Sequence, residues 1–355
     1  MATGQKRHHF VSRFLLRGFS SEPKVKNAPL WTLDKKTGAP RPTSIDNEAV
    51  VGQFYRTHKR APGGPDQVEK DLSLIEGFAV RHIKKLLTGG ALTPGERAEA
   101  ATFFLLQHRR TPRGRQWTVE MIESQEGLLA EVRINRTDEV RYHLQRERGG
   151  LVTDEEIEAF QQDLRASLDQ GRVQVEATRD HEVMGMFMAA NEIAEVIAAK
   201  TTWTVIHSEA PNEFVISDHP VSIYDPDAPP GHGVGWVSSP NVESTLPVSR
   251  FECLSFRPGP AVVREEQASA ARVADINLRS YASTEWAYYG SGQRIVQGVR
   301  ADARRQRGLV SLYEPRKPHL FVLEKKDESE VMFVTRNYTP KGKPVRGFIR
   351  PASRN

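Results

Sequence analysis

Read for polarity alone, the chain changes rhythm twice. Up to about residue 56, short apolar runs alternate with turn residues. From Asp66 the apolar positions fall three and four apart, and after Lys200 they fall two apart. In the first stretch, "PLWTLDKKTGAPRPTSI" predicts a strand, a turn at Thr37-Gly38 and an extended segment, with Pro40 and Pro42 discouraging helix. "RAPGGP" at 60–65 is a loop. Val68, Leu72, Ile75, Phe78 and Ala79 then predict a helix closed by Gly89-Gly90. Thr93-Pro94-Gly95-Glu96 marks the next start: a capping hydroxyl, a proline in the first turn, and a glutamate able to reach back to the cap. That helix turns Ala98, Ala101, Phe104 and Leu105 inward and stops at Thr111-Pro112. "TDEE" at 153–156 repeats the capping logic. Met184, Met186, Phe187, Met188, Ile193, Val196 and Ile197 predict a buried helix over about 180–199, with the three methionines as core packing.

Past Lys200, "TWTVIHS", "EFVISD", "VSIYD" and "FECLSF" place β-branched and aromatic residues between Pro, Asn, Gly and Asp, the pattern of strands. Residues 267–281 return to a helical period, "EWAYYGS" reads as a strand, and "HLFVLEKK" with "VMFVTRN" as a hairpin. The predicted fold is α+β: a helical middle (about 66–200) packed on a mostly antiparallel β-rich region from 30–56 and 201–340. It forms one domain over 1–355. Residues 115–178, charged and poor in large apolar side chains, read as a protruding helical insertion.

Composition excludes more than it selects. Hydrophobic residues make up 38% and charged residues 27%, but the apolar positions are periodic, so the chain reads as folded, not disordered. No run of about 18 apolar residues predicts a membrane span, and no long apolar stretch follows Lys6 and Arg7 to make a secretory signal. The single cysteine, Cys253, excludes an internal disulfide and a cysteine-rich zinc site. Lying in an apolar strand, it reads as buried rather than nucleophilic, and a reducing cytoplasm is the expected compartment. The net charge of +5 suits nucleic acid or a phosphorylated ligand, and no membrane partner is expected. Arginines bunch at 7–17, 109–115 and 299–307, while 154–163 is acidic. Oligomeric state is left open.

Near the N-terminus, "HHFVSRFLLRGFS" resembles the signature of a bacterial domain-of-unknown-function family whose N-terminus reads roughly QHYVPQFYLRNFS. His9, Phe10, Val11, Arg13, Phe14, Leu16, Arg17, Phe19 and Ser20 fit it. His8 stands where glutamine is usual, Ser12 where proline is, and Gly18 where asparagine is. "QFYR" at 53–56, "LQHRRTPRGR" at 106–115 and "FVISDHP" at 214–220 fit as well, while 115–178 is not covered. The resemblance implies a shared fold and a shared candidate site, and it implies no reaction.

Four constellations carry candidate chemistry. If the opening strip is helical from residue 9, His9, Arg13 and Arg17 share one arc; if Ser12 caps the helix, as the proline of the family pattern suggests, His9 precedes the first turn near the positive helix end. Equally, the strip is an amphipathic helix with a solvated basic edge. In "QHRRTPRGR", Gln107 and His108 end a helix. Arg109, Arg110, Arg113 and Arg115 run on into a loop, where guanidinium forks suit phosphate; a basic C-terminal cap is the alternative. In "FVISDHP", Ser217, Asp218 and His219 sit at a strand end, as an orienting carboxylate with a general acid or metal ligand, or as turn hydrogen bonds before Pro220. Glu69 and Glu76, seven apart on one helix face, could join Asp218 and His219 around a divalent Mg or Mn ion.

Walker, G-x-G-x-x-G, H-E-x-x-H, G-x-S-x-G and Cys/His zinc patterns are absent, as are recognisable helix-turn-helix and RNA-binding signatures. The expectation is a phosphodiester-acting enzyme, a nuclease of the toxin or defence kind. His9, His108 and Asp218 would be catalytic, with Arg13, Arg17, Arg109, Arg110, Arg113 and Ser217 on the phosphate. Two other classes stay open: a non-catalytic module for nucleic acid or a phosphorylated ligand, and a small-molecule hydrolase or transferase.

Overall fold

The computed structural model describes residues 7–57, 63–170, 179–228, 234–237, 239–315, 321–327, 330–335 and 347–349. The chain divides into two compact units, Met1–Trp117 with Glu182–Pro318, and Thr118–His181 with His319–Asn355. The first opens with a short strand, β1 (Arg7–His9), and a short helix, α1 (Arg13–Gly18). Helix therefore starts after Ser12, the second of the two geometries expected for the strip. Ser12 does not cap with its side chain, because its hydroxyl donates to Gln107 and accepts from Arg110. Gly18 permits a close approach: a Cβ there would meet the Val248 carbonyl at 2.3 Å, so the asparagine of the family pattern does not fit this backbone.

β2 (Pro29–Asp34) and β3 (Pro40–Ser44) form the expected hairpin around Thr37-Gly38, and β4 (Val50–Gly52) pairs antiparallel with β1. α2 (Gln67–Leu87) buries Val68, Leu72 and Ala79 as its period demands, but Phe78 is 40% exposed, stacked under Arg81. α3 (Pro94–Arg109) starts with a complete capping box at Thr93 and Glu96. It is the central helix: Phe103, Phe104, Leu105 and Leu106 are all buried, so core surrounds it on more than one face.

Thr111-Pro112 does not lead into a loop. α4 (Pro112–Ile134) begins at once, so Arg113 and Arg115 lie in its first turn. α5 (Thr137–Arg148) and α6 (Asp154–Asp169) confirm helix in the charged segment, and Val140, Leu144, Val152 and Ile157 give the second unit a small core of its own. The helix expected over 180–199 is broken into α7 (Arg179–Met184), a 3₁₀ turn at Gly185–Phe187, and α8 (Ala190–Lys200), with Ala189 at φ 50° between them. That break turns Met184 and Met188 out to solvent; of the three methionines only Met186 is core.

The strands that follow are β5 (Thr201–His207), β6 (Ile216–Ser217), β7 (Ser222–Tyr224), β8 (Glu243–Pro247), β9 (Glu252–Pro258) and β10 (Val263–Gln267). Then come α9 (Ala270–Ser283), β11 (Ala287–Gly290), α10 (Gln293–Arg305) and α11 (Arg307–Tyr313). One sheet runs β10-β5-β9-β8-β7, antiparallel except where β10 pairs with β5; another runs β3-β2-β11-β6, antiparallel throughout. The fold is α+β. α3 lies on the first sheet, where Phe104 meets Trp203 and Phe256 at ring distances of 5.3 and 4.7 Å. In the second unit β12 (Phe321–Asp327), β13 (Glu330–Thr335) and β14 (Gly347–Ile349) pair antiparallel, which includes the expected hairpin. Residues 60–62 of the "RAPGGP" loop, 171–178 of the helical segment, and 319–320 and 336–337 flanking the hairpin lie outside the described residues. Among the described residues no helix is long and apolar enough to cross a membrane.

Candidate active site

The corner between α3 and α4 concentrates the chemistry. Thr111 takes the capping position of α4: its hydroxyl accepts from the Gly114 N–H at 3.1 Å, and Pro112 follows as the first helical residue. The same hydroxyl lies 2.6 Å from His219 Nδ1. Ser217 fixes the His219 backbone from the other side, donating to its carbonyl at 2.6 Å and accepting its N–H at 3.2 Å. His219 is thereby held with its Nε2 buried and without a hydrogen-bond partner.

Aromatic rings surround it. His108, in the last turn of α3, lies 4.8 Å from His219 between ring centroids. Trp117 on α4 touches both, at 5.8 Å from His108 and 5.5 Å from His219. Trp236 meets His108 at 6.2 Å and is backed by Phe256 at 6.0 Å. His219 and Trp236 are buried, whereas His108, Arg113 and Trp117 are half-buried and form the open side. Burial, and then the charges of Arg109 and Arg113, hold His108 down to about 3; burial, His108 and Arg113 hold His219 well below the usual histidine value. Both imidazoles are neutral at pH 7.

Five arginines are expected on phosphate, and four are engaged elsewhere. Arg13 pairs with Asp46. Arg17 donates to the carbonyls of Pro23, Val25 and Lys26, closing the loop after α1. Arg109 donates to the carbonyls of Met186 and Met188 at the break between α7 and α8. Arg110, buried, bonds Glu76 at 2.5 Å, Ser12 Oγ at 2.6 Å and the Phe10 carbonyl at 3.1 Å. Arg113 has no hydrogen bond or ion pair among the described residues, and its charge acts on His108, His219 and Lys35. Lys35 donates to the carbonyls of Ala282 and Thr284, and burial followed by the Arg113 charge lowers its pKa.

The remaining candidates separate from this cluster. His9 reaches the Ile45 carbonyl at 3.1 Å and, with Arg13, shares no hydrogen bond, ion pair or ring contact with His108 or His219 among the described residues. Burial lowers its pKa. Asp218 accepts the backbone N–H groups of Glu285, Trp286 and Ala287 at 2.9, 2.6 and 3.0 Å, so it ties β6 to β11 and anchors the residue next to His219. Burial pushes it up to about 6, against the pull of those donors. Glu76 is paired with Arg110, and Glu69 lies 3.9 Å from His8. Among the described residues no group of three or more His, Cys, Asp or Glu could hold a metal ion.

Sequence reasoning did not select Thr111, Trp117, Trp236 or Lys35. The signal for Thr111 was present: Thr-Pro at 111–112 repeats the Thr-Pro that opens α3 at 93–94. Comparison with family models matches residues 7–296 to a family described as "Protein of unknown function (DUF4238)". The chain belongs to the DUF4238 family. Comparisons with curated proteins and with solved structures find no match. Every residue of the corner, together with His219, Trp236 and Lys35, falls within the span matched to DUF4238.

Proposed function

We propose that the chain is a phosphodiester-acting enzyme, a nuclease of the toxin or defence kind, working at His108, His219 and Arg113. The observation that supports this reading is the unpaired Arg113 guanidinium beside two neutral imidazoles. The Arg113 charge acts on Lys35 against the carboxylates of Glu314, Asp218 and Glu285, and a guanidinium without an acidic partner in a partly dry setting favours an anion beside it. A phosphodiester meets that demand. One imidazole takes the proton of the attacking hydroxyl, from water or a ribose 2′-OH. The new P–O bond forms as the ester P–O bond breaks, and the imidazolium returns the proton to the departing alkoxide. Arg113 offsets the charge gathered on the phosphoryl oxygens, and Asp218 positions His219.

The test is cleavage of mixed RNA and DNA by the purified chain, with Mg²⁺, Mn²⁺ or EDTA. His219→Ala and Arg113→Gln are expected to lose at least a hundredfold in rate, and His9→Ala to lose little. No cleavage under any condition, or full activity in His219→Ala, overturns the proposal. A second reading, a non-catalytic module for a phosphorylated ligand, is favoured by one observation: the His219 ring is buried, with Thr111, His108 and Trp117 packed on it. Ligand binding without product on prolonged incubation selects it.

A further inference from the structure

Trp117 is an unusual tryptophan for a helix. It is half-buried, and it stands outside the buried apolar clusters of the described residues, whereas Trp236 belongs to the main one. Among the described residues its ring contacts are the two histidines. Four residues earlier on the same helix, and so on the same face, stands Arg113. Beside them the buried Nε2 of His219 has no hydrogen-bond partner. A phosphate alone explains Arg113 and the histidine nitrogen. It does not explain why a broad aromatic face borders them: an indole can offer an anion its N–H, but its π face repels one. A planar aromatic group attached to a phosphate explains both.

We infer that the site takes a phosphorylated nucleoside, its base against Trp117 and its phosphate at Arg113. This rests on the anion site of the proposed function and names its substrate class. The shared chemistry comes from two sources, a free mononucleotide and the end of a nucleic-acid chain. Lys35 lies within electrostatic reach of Arg113, and Trp236 packs on His108.

The experiment is titration of the full chain, followed by tryptophan fluorescence and calorimetry. The probes are adenosine 5′-monophosphate, uridine 5′-monophosphate, adenosine, ribose 5-phosphate and inorganic phosphate, with eight-nucleotide RNA and DNA in parallel. Both mononucleotides are expected to bind at least about tenfold more tightly than ribose 5-phosphate or adenosine, the size of one base-stacking contact. Trp117→Ala brings the mononucleotides to the level of ribose 5-phosphate, and Trp117→Phe keeps most of the preference. Arg113→Gln brings them to the level of adenosine. Tighter binding of the octamers than of the mononucleotides assigns the site to a chain, and the reverse assigns it to free nucleotide; either supports the inference.

Equal affinity for mononucleotide and ribose 5-phosphate overturns it. So does a Trp117→Ala variant that folds and binds mononucleotide unchanged, or an absence of binding by every probe. The two readings fail separately. Nucleotide binding without cleavage removes the enzyme and leaves this inference, while cleavage of a base-free phosphodiester as fast as a dinucleotide does the opposite.

Discussion

At the scale of single residues, the neutral imidazoles make the site's pH behaviour calculable. His108 is held to about 3 and His219 well below the usual value, both chiefly by burial. In the unfolded chain each titrates near 6.5. Above 6.5 neither state carries the proton, and the two histidines add no pH dependence. Below it the unfolded chain takes up protons that the native site refuses, so stability falls as pH falls, for His108 by about 1.4 kcal/mol per unit. At pH 5 that is roughly 2 kcal/mol for His108, and His219 acts in the same direction. Urea unfolding at pH 7 and pH 5 checks this: wild type should lose more between the two than His108→Gln, which has no proton to take up. The same physics predicts that the His108 ring signals in NMR do not move between pH 8 and 5. Movement centred near 6.5 would place the ring in water and remove the argument for a neutral pair.

At the scale of elements, the α3–α4 corner is the unit that makes the site. It carries His108, Thr111, Arg113 and Trp117 within ten residues, and Gly114 permits it. A Cβ at Gly114 would meet the His108 carbonyl at 2.3 Å and the Arg109 carbonyl at 2.6 Å. Gly114→Ala is therefore expected to open the corner, costing about 1–3 kcal/mol in stability and weakening phosphate binding along with it. Thermal melting and phosphate titration of the variant check both parts. The opening strip is locked to the same helix from behind: Gln107 donates to the Phe10 carbonyl and accepts from Ser12, and Arg110 joins them. Arg110→Ala removes a buried ion-paired guanidinium and should cost about 3–5 kcal/mol.

This explains how much could be read from the sequence. Periodicity places α2 and α9, which bury one face, while the Thr93–Glu96 cap marks α3 and runs of β-branched and aromatic residues mark most strands. It misses the restart at Pro112, since a Thr-Pro pair ends one helix and begins another with the same residues. Polarity singles out His9 and Arg13, yet a carbonyl and a carboxylate partner take them, and no pattern along the chain records a partner 33 or 36 residues away. Trp117 and Trp236 carry no signal in one dimension, because only the fold sets Trp117 against two histidines and Trp236 against one.

At the scale of the whole molecule, the net charge of +5 invites the idea of a basic nucleic-acid surface. Its distribution argues otherwise. Residues 316–355 hold ten Lys and Arg against four Asp and Glu, an excess of six, so residues 1–315 are slightly acidic overall. Within the described residues many surface cations already have acidic partners, as in Arg13–Asp46, Arg41–Glu48, Lys85–Glu96 and Arg250–Glu213. Sequence-independent attraction to a polyanion should therefore come from the C-terminal stretch and not from the site. Each phosphate contact on a single strand contributes about −0.7 to the slope of log K against log salt. A mononucleotide carries no condensed counterions, so its affinity at Arg113 should depend only weakly on salt. An octamer should be steeper by the contacts that the C-terminal cations add. Replacing Lys341, Lys343, Arg346, Arg350 and Arg354 with glutamine should flatten the octamer slope toward the mononucleotide value and leave mononucleotide affinity unchanged. If that replacement leaves a steep octamer slope intact, the polyanion is held by other cations, and the division of labour between the C-terminal cations and the site is wrong.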